Sequence, residues 1–276
     1  MTRLLKIALF AGLFLLHLPS MKAQERPFSS GEKLHYKAIY NWGFFWIEAG
    51  EVDFSVTSET TLGNPCYLFK SAGQSMPNYD WIFRVRDKFE SVVDSATLRP
   101  YTFTKESNEG NFRIWNSYSF NYETNKLMVQ SETSTRSRRS DTLALNHYVF
   151  DVLTGVYYAR CLDYSHYSSG QRIYINIAID NKIYTLYGRF LGKEKLTLHD
   201  GRVFHTIKFS VQLVEGTIFK GGEDLVVWIS DDRNKIPIMV EASILVGKVK
   251  AVLETAQGLK YPMSSLIVPI SKPCGQ

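Results

Sequence analysis

Cysteine is scarce. Cys66, Cys161 and Cys274 are the only three in 276 residues, and they are far apart. A disulfide scaffold would show an even, closely spaced set, so that class is excluded. A Cys66–Cys161 bridge is chemically allowed, although lone cysteines are commonly just buried. A dominant charge sign is missing too: 32 Lys and Arg stand against 27 Asp and Glu. Nucleic-acid binding therefore has no electrostatic support. The chain also lacks a Gly-x-Ser-x-Gly elbow, a His-Glu-x-x-His pair, a phosphate-cradling Gly-x-x-x-x-Gly-Lys and a Cys-x-x-Cys. Each is the usual carrier of a specific chemistry, so no hydrolytic, phosphate-binding or redox site is announced.

What is present begins at the N-terminus. Arg3 and Lys6 precede an apolar run from Ile7 to Leu18, and Ala23 offers a small residue for cleavage before Gln24. About a dozen apolar residues suit a secretory signal and are too few to span a bilayer, which needs about 20. Residues 1–23 are therefore expected to be a signal peptide, with 24–276 exported to the periplasm and carrying no transmembrane span. Removing Arg3, Lys6 and Lys22 lowers the formal charge from +5 to +2. The remaining chain is long enough for one large β domain.

Its dominant period is two, the mark of half-buried strands. Leu34, Tyr36, Ala38 and Tyr40 alternate with more polar neighbours, as do Val52, Phe54 and Val56, and Trp81, Phe83 and Val85. The pattern recurs at Phe112–Tyr122, Ile173–Ile179, Ile207–Leu213, Leu225–Ile229 and Ile238–Ala242. Turn formers such as Gly63-Asn64-Pro65, Asn181-Lys182 and Asp200-Gly201 separate the runs. Short spacers favour antiparallel hairpins, since a parallel crossover takes a dozen residues or more. One stretch departs from this: Val152, Leu153, Val156, Tyr157 and Cys161 fall at helical spacing behind Asp151, a good cap. Ser131–Asp141 is polar, with Arg136, Arg138 and Arg139, and reads as a solvated loop joining halves 27–130 and 143–270.

The constellations that carry chemistry elsewhere are weak here. With a two-residue turn at Asp200-Gly201, His199 and His205 point to opposite faces, so no metal site is called. The carboxylate pairs Glu223-Asp224 and Asp231-Asp232 sit at strand ends, where turn and edge roles are common. Aromatics stand out instead. Trp42, Phe44 and Trp46 share one parity, and Trp81 and Phe83 follow. So many large rings imply a packed core, an apolar concavity inside a curved sheet, or a platform of exposed rings that stacks on sugar faces. These five residues are the ligand-binding candidates, and no catalytic residue or cofactor is called.

Gly31-Glu32-Lys33-Leu34-His35-Tyr36, Ala49-Gly50-Glu51, Asp94–Pro100, Phe150–Arg160, Trp228–Asp232 with Ile236-Pro237, and Gly247–Ala251 occur in an order and spacing that resembles a bacterial exported family, domain of unknown function 3108. The resemblance spans Phe28 to Leu253 and implies a periplasmic, β-rich, single-domain protein with no settled activity. The Trp228–Pro237 ending is also similar to lipoprotein-carrier folds, whose half-open barrel shelters acyl chains. That likeness is at the level of fold.

The expectation is an all-β, mainly antiparallel domain: one strongly curved or incompletely closed barrel-like sheet of about ten to fourteen strands, with one principal helix near 151–162. Function reads as non-enzymatic binding or carriage of a lipid-like ligand in the periplasm. Two alternatives stand beside it: an envelope assembly factor acting through protein contacts, and a hydrolase on envelope glycan or lipid.

Overall fold

A computed structural model describes residues 25–42, 45–61, 63–214, 222–243 and 247–267. The expected signal peptide, Phe44 and Cys274 lie outside them. The strands are β1 (Lys33–Trp42), β2 (Phe45–Thr61), β3 (Asn64–Ser75), β4 (Val85–Asp94), β5 (Pro100–Glu109), β6 (Phe112–Asn121), β7 (Lys126–Thr133) and β8 (Arg136–Ala144). Then follow β9 (Val149–Phe150), β10 (Arg172–Ile179), β11 (Lys182–Thr197), β12 (Val203–Leu213), β13 (Gly222–Ser230), β14 (Pro237–Ser243), β15 (Lys248–Gln257) and β16 (Leu266–Ile267). Among the described residues two α-helices accompany them, α1 (Asp80–Phe83) and α2 (Val152–Arg160).

Everything belongs to one sheet in the order 8-7-6-5-4-3-2-1-15-14-13-12-11-10-9, with β16 added beside β12. Pairing is antiparallel except between β9 and β10, which are parallel. The sixteen strands among the described residues exceed the expected count because β9 and β16, two residues each, are too short to show a period. The path does not return from β8 to β9, so the sheet is curled but not closed. Its two ends still meet: Tyr118 Oη of β6 donates to the Asp180 carbonyl at 2.8 Å, and Asn181 bonds Asp141 of β8.

Two sequence expectations are corrected. Ser131–Asp141 is not a loop but most of the β7–β8 hairpin, in register from Lys126↔Ala144 to Thr133↔Arg136. Residues 136 to 142 of β8 are all exposed, and an edge strand of that kind needs no apolar residues; its arginines deter stray pairing. Trp81 and Phe83 are likewise not on a strand. The Asp80 carboxylate binds Arg86 Nη2 at 2.6 Å and Nη1 at 3.1 Å and also takes the Ser75 hydroxyl, closing the helical turn α1.

A bend sits where Ala49-Gly50 permits it. The β1–β2 register shifts between Ala38 and Ile39, leaving Ala49 as the extra residue. A Cβ on Gly50 would lie 2.4 Å from the Gln74 carbonyl oxygen, so only glycine allows that approach to β3.

Helix α2 starts as its sequence predicts. The Asp151 side chain accepts the Thr154 amide proton at 2.8 Å and the hydroxyls of Thr154 and Ser91, each at 2.7 Å. Burial pushes the Asp151 carboxyl above its ordinary range, and these hydrogen bonds oppose that. At the other end, Arg160 forms a bidentate pair with Glu32, 2.6 and 2.8 Å, with both residues buried. The same guanidinium donates to the Asn234 carbonyl in the β13–β14 turn. The helix is thus tied to the start of β1 and to that turn.

Candidate functional site

The two halves of the sheet present very different inner faces to α2. Across β2 to β7 one row of paired residues reads Val56, Phe69, Ser91, Phe103, Tyr118 and Val129. All six are buried. Leu153 and Tyr157 of α2 pack on this half; Tyr157 stacks on Phe69 with ring centroids 3.9 Å apart. Ser91 interrupts the row where the helix cap needs a hydroxyl. That half of the interior is filled.

The corresponding row in the other half begins at Phe190 and Phe209 and passes through Val227, Val240, Ala251 and Ala38 to Gly50. Its side chains shrink from strand to strand, and α2 does not descend to meet them. A hollow of about 620 Å³ remains between the helix and β1, β2 and β10–β15. Ile173, Ile175, Ile177 and Ile179 form one wall, with Val211 and Leu225 facing them along the curve. Val156 of the helix, 41% exposed, looks into it. Gly188 contributes no side chain, although it is paired with Ile173 on one side and Val211 on the other.

Polar groups are few in this lining. Among the described residues Arg160 is its one charged residue, and Glu32 already balances that charge. Tyr36 Oη donates to the Pro237 carbonyl at 2.9 Å, while the Tyr157 hydroxyl is buried without a partner. Burial raises both phenols' pKa, so they stay neutral. Among the described residues Gln212 supplies the one side-chain amide, near the end of β12. The volume falls in the range of small-molecule sites, ~300–1,000 Å³.

Of the five residues expected to line a cavity, the structure describes the side chains of two, and those two are placed differently. Trp46 and Trp81 are not in the lining; they are 49% and 83% exposed. Trp46 lies under Lys250 Nζ, 4.3 Å from its ring centroid, and Lys250 pairs with Glu241 at 3.1 Å. Trp81 rides on α1 between β3 and β4. Trp42 ends β1 and Phe83 ends α1; their side chains, like all of Phe44, lie outside the described structure. Sequence reasoning missed the isoleucine wall as a site, although it recognised Ile173–Ile179 as a strand. The signal was there: four isoleucines on one parity suit a wall that nothing covers as well as a core.

The remaining sequence candidates are structural or dispersed. Asp232 accepts from the Ser230 and Ser265 hydroxyls and from the amides of Asn234 and Ser265, which shapes the β13–β14 turn. Asp231 pairs with Lys193. The Asp200-Gly201 turn is a residue longer than expected: Leu198 bonds Arg202 across it, and His199 and His205 are both exposed. No disulfide joins Cys66 to Cys161. Among the described residues no three His, Cys, Asp or Glu converge as metal ligands, and no helix is long and apolar enough to cross a membrane.

Comparison with known proteins agrees with this architecture. The model of a family described as "Protein of unknown function (DUF3108)" matches residues 35–254. No curated protein matches the chain. A crystal structure of a beta-barrel-like protein of domain of unknown function DUF1849 from Brucella abortus is similar in fold, with a TM-score of 0.53 at 7% identity, covering 82% of this chain and 96% of that one.

Proposed function

Starting from the premise that the chain belongs to the family described as "Protein of unknown function (DUF3108)", we propose that it is a non-enzymatic periplasmic binding or carrier protein whose hollow takes a lipid-like ligand. One observation carries the reading: the 620 Å³ space is walled by aliphatic and aromatic side chains and, among the described residues, has no net charge inside. A hydrocarbon chain entering it gains roughly 25 cal/mol for each Å² withdrawn from water. An anion gains nothing at the Arg160 floor, because Glu32 occupies the guanidinium in a bidentate contact. The polar head of an amphiphile therefore stays toward Gln212. Export follows from Arg3, Lys6 and the apolar run ending at Leu18. Catalysis lacks support, since Asp231 and Asp232 serve a salt bridge and a turn.

The test is to purify the protein from its native envelope, extract it with organic solvent for mass spectrometry, and titrate it with a fluorescent fatty-acid probe. A co-purifying lipid and saturable probe binding are expected. If neither is seen, the reading fails.

A further inference from the structure

Trp81 is 83% exposed, Ile82 58% and Trp46 49%, and all three belong to the same end of the sheet. The pairing puts them there. β1 ends at Trp42 and β2 begins at Phe45; β3 ends at Ser75, opposite Gly50 of β2, and leads within five residues into α1. By antiparallel pairing through β15, β14, β13 and β12, Lys248, Ser243, Gly222 and Leu213 lie at that same end. The hollow runs to it as well, since Gln212, Leu213 and Leu225 are in its lining.

These side chains are not exposed through slackness. The Met76 amide donates to the Ala49 carbonyl at 2.8 Å, fixing the start of the β3–β4 connection against β2. Asp80 is clamped by Arg86 and Ser75, so α1 holds Trp81 and Ile82 outward. Large apolar side chains held in water cost free energy unless something covers them. Indole rings carry an apolar body and a polar N–H, and they concentrate where lipid head groups meet acyl chains. Of the cations beside them, Arg86 is matched by Asp80, while Lys248 and Lys250 share the single carboxylate of Glu241. Exposed Arg84, at the end of α1, forms no ion pair among the described residues. The surface therefore offers apolar insertion, with a small excess of positive charge beside it.

We infer that this end of the sheet docks on a lipid bilayer, with Trp81, Ile82 and Trp46 seated at the boundary between head groups and acyl chains. The hollow then opens toward the membrane, so that an acyl chain passes between bilayer and protein without crossing bulk water. The docking does not depend on what the hollow holds. Failure of vesicle binding would leave the lipid-extraction result intact, and the reverse.

The experiment is co-sedimentation of the full chain with vesicles of phosphatidylcholine alone and of phosphatidylcholine with phosphatidylglycerol. Binding to both is expected, with the anionic vesicles favoured by a salt-sensitive factor of no more than about tenfold. Brominated acyl chains should quench the tryptophan fluorescence. Replacing Trp81→Ser and Ile82→Ser together should weaken binding at least ~tenfold. Both side chains are solvent-facing, so the circular dichroism and melting temperature of that variant should match the parent. Four outcomes would overturn the inference. They are no binding to either vesicle, binding only to anionic vesicles that salt abolishes, undiminished binding by the double variant, and a photocrosslinker at position 81 that captures a protein in cells while vesicles are ignored.

Discussion

Gly188 shows how much one missing side chain decides. Its row neighbours are Ile173 and Val211, and a Cβ there would meet only the Ser210 carbonyl oxygen, at 4.0 Å. Nothing in the backbone requires glycine, whereas Gly50 and its close approach to Gln74 do require it. The reason for Gly188 is then the space it leaves in the hollow. Gly188→Leu should weaken binding of the fluorescent probe at least ~tenfold by filling that space. The melting temperature should hold or rise, because a strand glycine is ~0.5–1 kcal/mol worse than alanine. Gly188→Ala, which adds one methyl group, should leave most binding in place. Equal probe affinity in the parent and the leucine variant would move the ligand elsewhere.

The helix works differently, as a partition. On α2, Leu153 belongs to the filled core, Val156 and Ala159 border the hollow, and Val152 and Tyr157 touch both. Gly155 lets it come close to β10: a Cβ there would be 2.7 Å from Cδ1 of Ile177. Its helix-propensity cost of about 1 kcal/mol relative to alanine is offset by that fit. Position along the axis is set at the ends, by Asp151 on Ser91 and by Arg160 on Glu32 and Asn234. Glu32→Ala leaves a buried guanidinium without its carboxylate and should cost about 3–5 kcal/mol in denaturant unfolding. The double variant Glu32→Leu with Arg160→Met, which removes both charges, should lose much less. A single-variant loss under ~1 kcal/mol would mean that the pair does not anchor the helix.

At the scale of the whole molecule the sheet is continuous across any division of the chain. β1 pairs with β2 on one side and with β15 on the other, so the first and last thirds of the sequence share hydrogen bonds. The filled core mixes Phe28, Phe69 and Phe103 with Leu153, Tyr157 and Ala178. Segments 27–130 and 143–270 should therefore not fold when expressed separately. Calorimetry of the full chain should show one transition, with a van 't Hoff enthalpy matching the calorimetric one. Two resolved transitions, or a segment that folds alone, would restore the picture of joined halves.

Local order was legible in the residues themselves. Alternation marked β1, β2, β6, β10 and β12–β14, and Asp151 with its helical spacing marked α2, because period and caps depend on neighbours in the chain. The all-β class and the family resemblance followed from those signals. Which face of each strand meets which neighbour depends on register between strands distant in sequence. Only the tertiary structure shows Phe190, Phe209, Val227, Val240, Ala251, Ala38 and Gly50 as a single tapering row. For the same reason the tryptophans were legible as unusual but not as outward-facing: Trp81 alternates like a strand residue, and Asp80, Ser75 and Arg86 turn it into a helical corner. A hollow is a property of what opposing elements fail to fill, and no stretch of a single chain contains both sides of that comparison.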